Sequence, residues 1–258
     1  MNKIYKLAEK LNTAKTEGGV IKLEETDVIK SINEAYEFQD IVAEISNMNR
    51  CGWKVGATSY KAQKELNTKE PVIGPVFKEY IFNSPADFSI FSDQNTSVEC
   101  EFAFKFKKVL PSKKDKYNLE EILSAIDCLV PVIEIIGSRY KSGFKNIGSI
   151  KLIADMVVHI ALIIGNEINK WENIDLNKQN ITLYKNGTKI VNGNSSEVLG
   201  SPFNVVEWAV NHLSSRRKSI NKGDIISTGT CTGIVPIFPG DKILADFNEI
   251  GIVELNIS

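Results

Sequence analysis

The sequence has few histidines and no closely spaced pair of cysteines. Two histidines occur in 258 residues, and the four cysteines are spread along the chain without a Cys-x-x-Cys pair. This spacing excludes the usual zinc sites, and it favours free thiols in a reducing compartment over a disulfide framework. Any metal ion is therefore expected to bind through oxygen ligands, as Mg²⁺ or Mn²⁺ does.

Long apolar runs and blocks of like charge are also missing. The longest apolar segment, MVVHIALIIG, is about half the length of a transmembrane helix, and the N-terminus lacks the apolar core of a signal peptide. The 31 basic and 32 acidic residues are interspersed, without the basic stripe that nucleic-acid binding requires. The sequence thus predicts a cytoplasmic protein that acts on a small molecule and has no membrane or nucleic-acid partner.

The distribution of periodic segments predicts an α+β fold. Apolar residues recur at helical spacing in IYKLAEKLNTAK, in ETDVIKSINEAYEFQDIVAEISN, in LEEILSAIDCLV and in SPFNVVEWAVNHLSSRR. Short strands dominate after Pro71, and ITLYKNGTKIVNG is typical of a hairpin that turns at Asn186 and Gly187. We therefore predict a small helical N-terminal region, residues 1–70, and a β-rich catalytic domain, residues 71–258.

Two carboxylates share one face of a predicted strand. In SVECEFAFKF, residues 97–106, the side chains of Glu99 and Glu101 point one way, and those of Phe102, Phe104 and Phe106 point the other way. Like charges at this spacing repel, so they need either solvent between them or a shared positive partner. This segment alone leaves both possibilities open, a solvent-facing strand surface and a metal site.

Two further charged residues stand in otherwise apolar strands. Glu134 lies in PVIEIIGSRY, where a carboxylate needs either an ion pair, with Arg139 as a nearby candidate, or a metal ion. Joined to Glu99 and Glu101, it gives a candidate three-carboxylate site of the kind that binds Mg²⁺. Lys54 in GWKVGATS is either a surface residue at a strand end or a positive charge directed at a substrate carboxylate or enolate.

The order of these motifs resembles a known family. GWKVGATS, E-x-E, IEI-x-x-SRY, IAD, VLG-x-P-x-N-x-x-x-W, TGT-x-TG and PGD-x-x-x-ADF follow one another as in the hydratase/decarboxylase branch of the fumarylacetoacetate hydrolase superfamily. The resemblance extends from roughly residue 35 to the end of the printed sequence. It implies a mixed β-barrel or β-roll body of the fumarylacetoacetase C-terminal type, with a divalent metal and a homo-oligomeric assembly.

The resemblance also implies an activity and roles for individual residues. It assigns Mg²⁺ or Mn²⁺ to Glu99, Glu101 and Glu134, the active-site lysine to Lys54, and a substrate contact to Thr230. The implied reaction is the addition of water to a small 2-oxo-alkenoate or 2-hydroxydienoate through a metal-stabilised enolate. Decarboxylation or C–C hydrolysis of a related 2-oxo acid, and ligand binding by a catalytically inactive member, are the alternatives.

Three segments depart from the family pattern, and one of them is Ser201, which stands before Pro202 where a histidine is expected. Val72 stands where an acidic residue is expected after the proline, and residues 156–158 read Met-Val-Val where an asparagine and small polar residues are expected. His159 is therefore either a core histidine or a general acid/base that replaces the missing acid, since histidine titrates near neutrality. The predicted catalytic residues are Lys54 and His159, and the predicted substrate-binding residues are Lys54, Arg139 and Thr230.

Overall fold

The computed structural model describes residues 3–258, which form six α-helices and thirteen β-strands. The helices are α1 (Lys3–Glu17), α2 (Ile32–Ser46), α3 (Tyr60–Glu65), α4 (Leu119–Ala125), α5 (Gly148–Ala154) and α6 (Pro202–Ser215). The strands are β1 (Arg50–Gly56), β2 (Val72–Phe77), β3 (Ile81–Asn83), β4 (Ala86–Phe88), β5 (Ser97–Phe106), β6 (Ile126–Ile136), β7 (His159–Ile164), β8 (Asn180–Lys185), β9 (Thr188–Asn194), β10 (Ile225–Ser227), β11 (Val235–Pro236), β12 (Lys242–Asp246) and β13 (Ile252–Ile257).

The N-terminal helices follow the predicted pattern with one difference. Helix α1 ends just before Gly18, which has a φ of 85°, and α2 begins after Ser31, whose side chain accepts a hydrogen bond from the backbone N–H of Glu34. The segment that the sequence predicts as one long helix is divided. A 3₁₀ helix, Leu23–Val28, precedes an extended link, and only then does α2 start.

The strands form two sheets, and the larger sheet carries the charged residues of interest. Its strand order is β2-β1-β10-β5-β6-β7-β3, with β11 paired to β5, and the order of the smaller sheet is β4-β13-β12-β8-β9. Both sheets mix parallel and antiparallel pairs: β1–β10 is parallel and β5–β6 antiparallel in the larger sheet, and β4–β13 is parallel and β12–β13 antiparallel in the smaller one. The α+β class, with a helical N-terminal part and a curled mixed sheet, is thus confirmed.

Strand β1 belongs to the larger sheet although it precedes residue 71. It pairs with β2 on one side and with β10 on the other, so the predicted N-terminal region contributes a strand to the β-rich body. The division of the chain at residue 70 stays a prediction, and it would separate β1 from both of its neighbours.

Strand β5 is buried on both of its faces. The face that carries Phe102 and Phe104 packs into the main core, where the ring of Phe102 meets that of Phe247 edge-on at 5.3 Å between centroids. The opposite face carries Glu99 and Glu101, which are 7% and 0% exposed. The solvent-facing alternative for these two carboxylates is therefore wrong, because neighbouring elements cover both faces of the strand.

Other local predictions hold, with changed boundaries. Asn186 and Gly187 turn the hairpin between β8 and β9 with φ angles of 54° and 76°. Helix α6 begins at Pro202 after the capping residue Ser201. The helix predicted in LEEILSAIDCLV ends at Ala125, and the remainder is strand β6. The four cysteines are free thiols, and no helix within residues 3–258 is long and apolar enough to span a membrane.

Lys15 on α1 is buried without a hydrogen-bond partner for its ammonium group. Its Nζ lies 4.7 Å from the ring centroid of Tyr80 and 5.0 Å from that of Phe77. Burial, assisted by the charge of Arg139, lowers the pKa of Lys15 from 10.5 to about 7. In the unfolded chain Lys15 keeps its proton up to about pH 10. Between about pH 7 and pH 10 the unfolded chain therefore binds more protons than the folded chain.

The substitution Lys15→Met is expected to stabilise the protein most strongly below about pH 7. There the free energy of unfolding should increase by up to about 5 kcal/mol, since the pKa of Lys15 falls from 10.5 to about 7 and one unit of pKa shift corresponds to about 1.4 kcal/mol. The gain should shrink as the pH rises towards 10, because the stability of the wild type increases with pH in this interval. Urea unfolding at several pH values measures the gain. Lys6→Met, at an exposed position of α1, is the control, and a pH-independent gain would contradict the expectation.

Candidate metal centre and active-site cavity

Three glutamates from two adjacent strands come together in the larger sheet. Glu99 and Glu101 lie on β5, and Glu134 on β6 stands directly opposite Glu99 in the antiparallel register. One carboxylate oxygen from each residue lies within 4.8 Å of the others. Strands β10 and β7 flank this pair of strands, and all three side chains are buried. The sheet register therefore assembles the three residues that the sequence predicts as metal ligands.

Burial makes three ionised carboxylates unfavourable unless a cation accompanies them. Loss of contact with water is the main reason why the pKa of Glu99 and that of Glu101 rise to about 8 and why the pKa of Glu134 also rises. Oε1 of Glu101 has no hydrogen-bond partner within residues 3–258. A divalent cation would satisfy this oxygen and replace the protons, and a donor set made only of oxygens suits Mg²⁺ or Mn²⁺. The residues present thus fit a divalent metal.

The loop that follows β10 holds Glu101 in place. The hydroxyl of Ser227 and the backbone N–H of Gly229, the latter at 2.9 Å, both donate hydrogen bonds to Oε2 of Glu101. Gly229 has a φ of 88°, and a Cβ at this position would lie 2.1 Å from Oγ1 of Thr58. Sequence reasoning missed Ser227 and Gly229 as supports of the site, because 126 residues separate Ser227 from Glu101.

The substitution Gly229→Ala is expected to weaken metal binding by roughly tenfold or more, because disturbed support of a ligand typically costs 10- to 100-fold in affinity. The new methyl group would clash with the side chain of Thr58, so the backbone at residue 229 must shift. This shift moves the N–H of residue 229, which holds Glu101. Calorimetric titration with Mg²⁺ measures the effect. Gly233→Ala is the matched control, since Gly233 also has a positive φ, 76°, but no atom lies within 4 Å of its Cβ position. Equal Mg²⁺ affinities in the two variants would show that the N–H of Gly229 does not matter.

Lys54 supplies a positive charge next to the three carboxylates. Its Nζ lies 3.0 Å from Oε2 of Glu134 and donates a hydrogen bond of 3.2 Å to the carbonyl oxygen of Val157. Burial alone lowers the pKa of Lys54, but the carboxylates of Glu134, Glu99 and Glu101 outweigh burial and raise this pKa above 10.5. Lys54 is therefore a buried ammonium group at the candidate metal centre, and the surface alternative for it is wrong.

His159 touches the candidate metal centre through Glu134. It is the first residue of β7, and its Nδ1 lies 2.7 Å from Oε1 of Glu134. Burial lowers the pKa of His159 well below 6.5, so this contact is a hydrogen bond between a neutral ring and the carboxyl group rather than an ion pair. His159 is not among the described residues that line the neighbouring cavity. Its direct action as a general acid/base on the substrate stays a prediction.

Arg139 has its partners away from the three carboxylates. Its Nε lies 2.6 Å from Oδ1 of Asp155, and its guanidinium donates a hydrogen bond of 3.0 Å to the carbonyl oxygen of His159. The alternative that Arg139 pairs with Glu134 is therefore wrong, because Lys54 and His159 occupy the carboxylate of Glu134. Arg139 is 1% exposed and is not among the described cavity residues. A substrate contact by Arg139 stays a prediction that this geometry does not favour.

The chain makes a left-handed turn between α5 and β7. Met156, Val157 and Val158 have φ angles of 53°, 52° and 53°, in a region that β-branched residues adopt only at an energetic cost. The turn directs the carbonyl group of Val157 towards Lys54, and both valines line the cavity beside the metal centre. The segment that departs from the family pattern thus forms part of the site.

A cavity of about 930 Å³ opens beside the three glutamates. Lys54 and Glu99 form its charged end, and Thr230 also lines it, with its hydroxyl donating a hydrogen bond to the carbonyl oxygen of Gly233. Much of the remaining wall is apolar and includes Leu66, Ile90, Phe91, Leu152 and Val158. A small anion could bind at the charged end and place the rest of its carbon chain against this wall.

Comparison with known sequences matches most of the chain to one family. Residues 53–258 match the family described as fumarylacetoacetate (FAA) hydrolase, C-terminal. A 2-keto-4-pentenoate hydratase from Paraburkholderia xenovorans (strain LB400) is 28% identical over 237 residues, which are 91% of this chain and 87% of that protein. A 4-oxalocrotonate decarboxylase from Pseudomonas putida is 28% identical over 204 residues, 78% of this chain and 75% of that protein.

Comparison with solved structures finds the same architecture. The structure of 4-oxalocrotonate decarboxylase from Pseudomonas putida G7 complexed with magnesium and adipate superposes with a TM-score of 0.88. The sequence identity is 25%, and the alignment covers 99% of this chain and 97% of that chain.

Proposed function

Because the chain belongs to the fumarylacetoacetate hydrolase family, we propose that it is a divalent-metal-dependent hydratase of a small 2-oxo-alkenoate or its 2-hydroxydienoate form. The observation that carries the proposal is the buried cluster of Glu99, Glu101 and Glu134, with Lys54 beside it, at the end of a cavity. The similarity to a protein named as a 2-keto-4-pentenoate hydratase supports the reaction class.

The donor set and the substrate class are chemically matched. The carboxylate and keto oxygens of a 2-oxo acid are adjacent hard donors, which suit the same cations as the three glutamates do. When bound, the cation supplies Lewis-acid polarisation of the keto group and stabilises the negative charge that develops when C3 loses a proton. Glu99, Glu101 and Glu134 would hold this cation.

Lys54 acts in this proposal as a fixed positive charge rather than as a base. Its raised pKa keeps the ammonium group protonated at neutral pH, and Glu134 and the carbonyl group of Val157 fix its position. A preoriented charge in a site from which water is largely excluded stabilises an enolate more strongly than the same charge would in water. Thr230 on the cavity wall is a further candidate for contact with the substrate.

His159 orients Glu134 in this proposal. Its neutral ring donates a hydrogen bond from Nδ1 to the carboxylate, which fixes one candidate ligand as histidine–carboxylate contacts commonly do at metal sites. The protons of the hydration reaction are then exchanged with water in the cavity or with another side chain. We further propose, from the family resemblance alone, that the protein is a homo-oligomer that acts in the catabolism of aromatic compounds. The four free thiols agree with a reducing compartment such as the cytoplasm.

Decarboxylation of a related 2-oxo acid is the second candidate. Loss of CO₂ needs a sink for electrons but, unlike hydration, no base that activates water. At the charged end of the cavity the titratable groups among the described residues are Lys54 and Glu99, and in this proposal Lys54 is a fixed positive charge and Glu99 a candidate metal ligand. The structural similarity to 4-oxalocrotonate decarboxylase supports this alternative. The same metal centre serves both reactions, so its geometry does not separate them.

Product analysis by proton NMR in D₂O separates these possibilities. With Mg²⁺ and 2-hydroxypenta-2,4-dienoate, we expect 4-hydroxy-2-oxopentanoate with deuterium at C3, and no product in the presence of EDTA. Release of CO₂ from 4-oxalocrotonate without turnover of the dienoate would favour the decarboxylase. Failure of both reactions, together with no Mg²⁺-dependent exchange of the C3 protons of pyruvate, would favour a catalytically inactive binding protein.

A further inference from the structure

We propose, building on the proposed function, that the substrate is a 2-oxo acid with an uncharged apolar tail, and that the cavity discriminates against a second carboxylate at the end of that tail. The inference rests on three features of the cavity: the chemistry of its wall, the position of its charges and the strained backbone that forms one side of it.

The wall beyond the charged end provides a surface for hydrocarbon. Leu66, Ile90, Leu152, Val158 and Ile237 line it, each of them buried or half-buried, and its polar groups away from Lys54 and Glu99 are mainly hydroxyls and amides. The volume of about 930 Å³ lies near the upper end of the range for pockets that enclose whole small molecules. The cavity therefore has room for a tail longer than that of a five-carbon acid.

The charged residues that line the cavity within residues 3–258 include no unpaired buried cation for a distal carboxylate. Four charged residues line the cavity: Lys54, Glu65, Glu99 and Lys145. Lys54 is already paired with Glu134 at the metal centre, whereas Glu65 and Lys145 are exposed and of opposite sign. A carboxylate that loses its water without gaining a cation is strongly disfavoured, so a dicarboxylate loses affinity where a methyl group gains it.

The left-handed turn indicates that an apolar wall is maintained despite a cost. Val157 and Val158 both line the cavity, and both have φ angles near 52°. β-Branched residues are disfavoured in this conformation, which asparagine and glycine tolerate readily. Strain of this kind persists where the surrounding structure enforces it, and it concentrates at functional sites. Two valines here therefore point to a requirement for apolar side chains next to the reacting carbons.

Two six-carbon acids with identical head groups test the proposal. 2-Oxohexanoate and 2-oxoadipate both carry the 2-oxo acid group and differ at C6, a methyl group in the first and a carboxylate in the second. Calorimetric titration of the wild-type protein at saturating Mg²⁺ should show 2-oxohexanoate binding roughly tenfold or more tightly than 2-oxoadipate. Oxalate, which has no tail, reports binding at the metal centre alone.

A pair of variants at one position of the wall extends the test. Leu66 is half-buried, so a lysine at this position can stay partly solvated while its ammonium group faces a distal carboxylate. Leu66→Lys should reduce the preference for 2-oxohexanoate by roughly tenfold. The size-matched Leu66→Met should retain the preference, because it keeps the wall apolar.

The outcomes separate failure of this inference from failure of the proposed function. Mg²⁺-dependent binding of oxalate with equal or tighter binding of 2-oxoadipate than of 2-oxohexanoate overturns the inference and leaves the proposed function intact. One contrary outcome is that the wild type prefers 2-oxoadipate because the exposed Lys145 binds its second carboxylate. A wild-type preference for 2-oxoadipate that disappears in Lys145→Met would show this, and it would also overturn the inference. If Mg²⁺ does not promote binding of oxalate, the proposed function fails, and the inference fails with it.

Discussion

Glu101→Gln is expected to lower the affinity for Mg²⁺ by more than about 100-fold and to abolish turnover, while the fold stays intact. Disturbing the support of a metal ligand already costs 10- to 100-fold, and loss of the ligand itself should exceed this range. The glutamine fits the site, since its amide oxygen can accept the hydrogen bonds that Ser227 and Gly229 give to Oε2. Its amide nitrogen then takes the place of Oε1, which has no partner. Calorimetry measures the affinity, and circular dichroism checks the fold.

A matched control distinguishes this effect from a general loss of negative charge. Glu167 forms an exposed ion pair of 2.5 Å with Lys105, which lies on the same strand as Glu101. Glu167→Gln should leave the affinity for Mg²⁺ unchanged. An affinity of Glu101→Gln close to that of Glu167→Gln would rule out Glu101 as a metal ligand.

Lys54→Met is expected to weaken the binding of oxalate at saturating Mg²⁺ by about 10- to 100-fold. Hydrogen bonds to charged groups contribute about 1.5–3 kcal/mol, and about 1.4 kcal/mol corresponds to a factor of ten in affinity. The metal-free variant should also lose up to about 3–5 kcal/mol of stability, because Glu134 loses its buried positive partner. Addition of Mg²⁺ should recover part of this loss, since the cation replaces the missing charge.

The thermal shift that Mg²⁺ produces should therefore be larger in Lys54→Met than in the wild type. Lys105→Met removes a lysine from an exposed ion pair elsewhere in the sheet and should change neither the shift nor the binding of oxalate. Wild-type affinity of Lys54→Met for oxalate would exclude a role of Lys54 in holding the anion.

Residues whose local pattern is unusual could be identified from the sequence. Glu99 and Glu101 share a face because side chains alternate along a strand, and Glu134 stands out because its neighbours are apolar. Lys54 stands out for the same reason. These patterns are local, so they are visible without knowledge of which strands pair.

Contacts that depend on tertiary structure could not be predicted in this way. The hydrogen bonds from Ser227 and Gly229 to Glu101 depend on β10 lying beside β5, and the hydrogen bond between His159 and Glu134 depends on the pairing of β7 with β6. The burial of the second face of β5 likewise reflects what covers the sheet rather than the sequence of the strand. The spacing of apolar residues also joined two segments into one predicted helix, whereas the fold separates them before Ser31.

The position of β10 has a consequence for the order of events during synthesis and folding. This strand lies between β1, which carries Lys54, and β5, which carries Glu101. The two strands are joined into one sheet only by β10, which leaves the ribosome more than a hundred residues after both of them. Pairings over such sequence distances form slowly, because the chain must close a long loop before the contacts compensate for the lost entropy. The three glutamates lie on β5 and β6, which pair directly with each other, so these candidate metal ligands come together before β10 is made. The hydrogen bonds from Ser227 and Gly229 to Glu101 are added only when β10 joins the sheet. A cation held with this late support would act mainly by slowing the unfolding of the finished molecule.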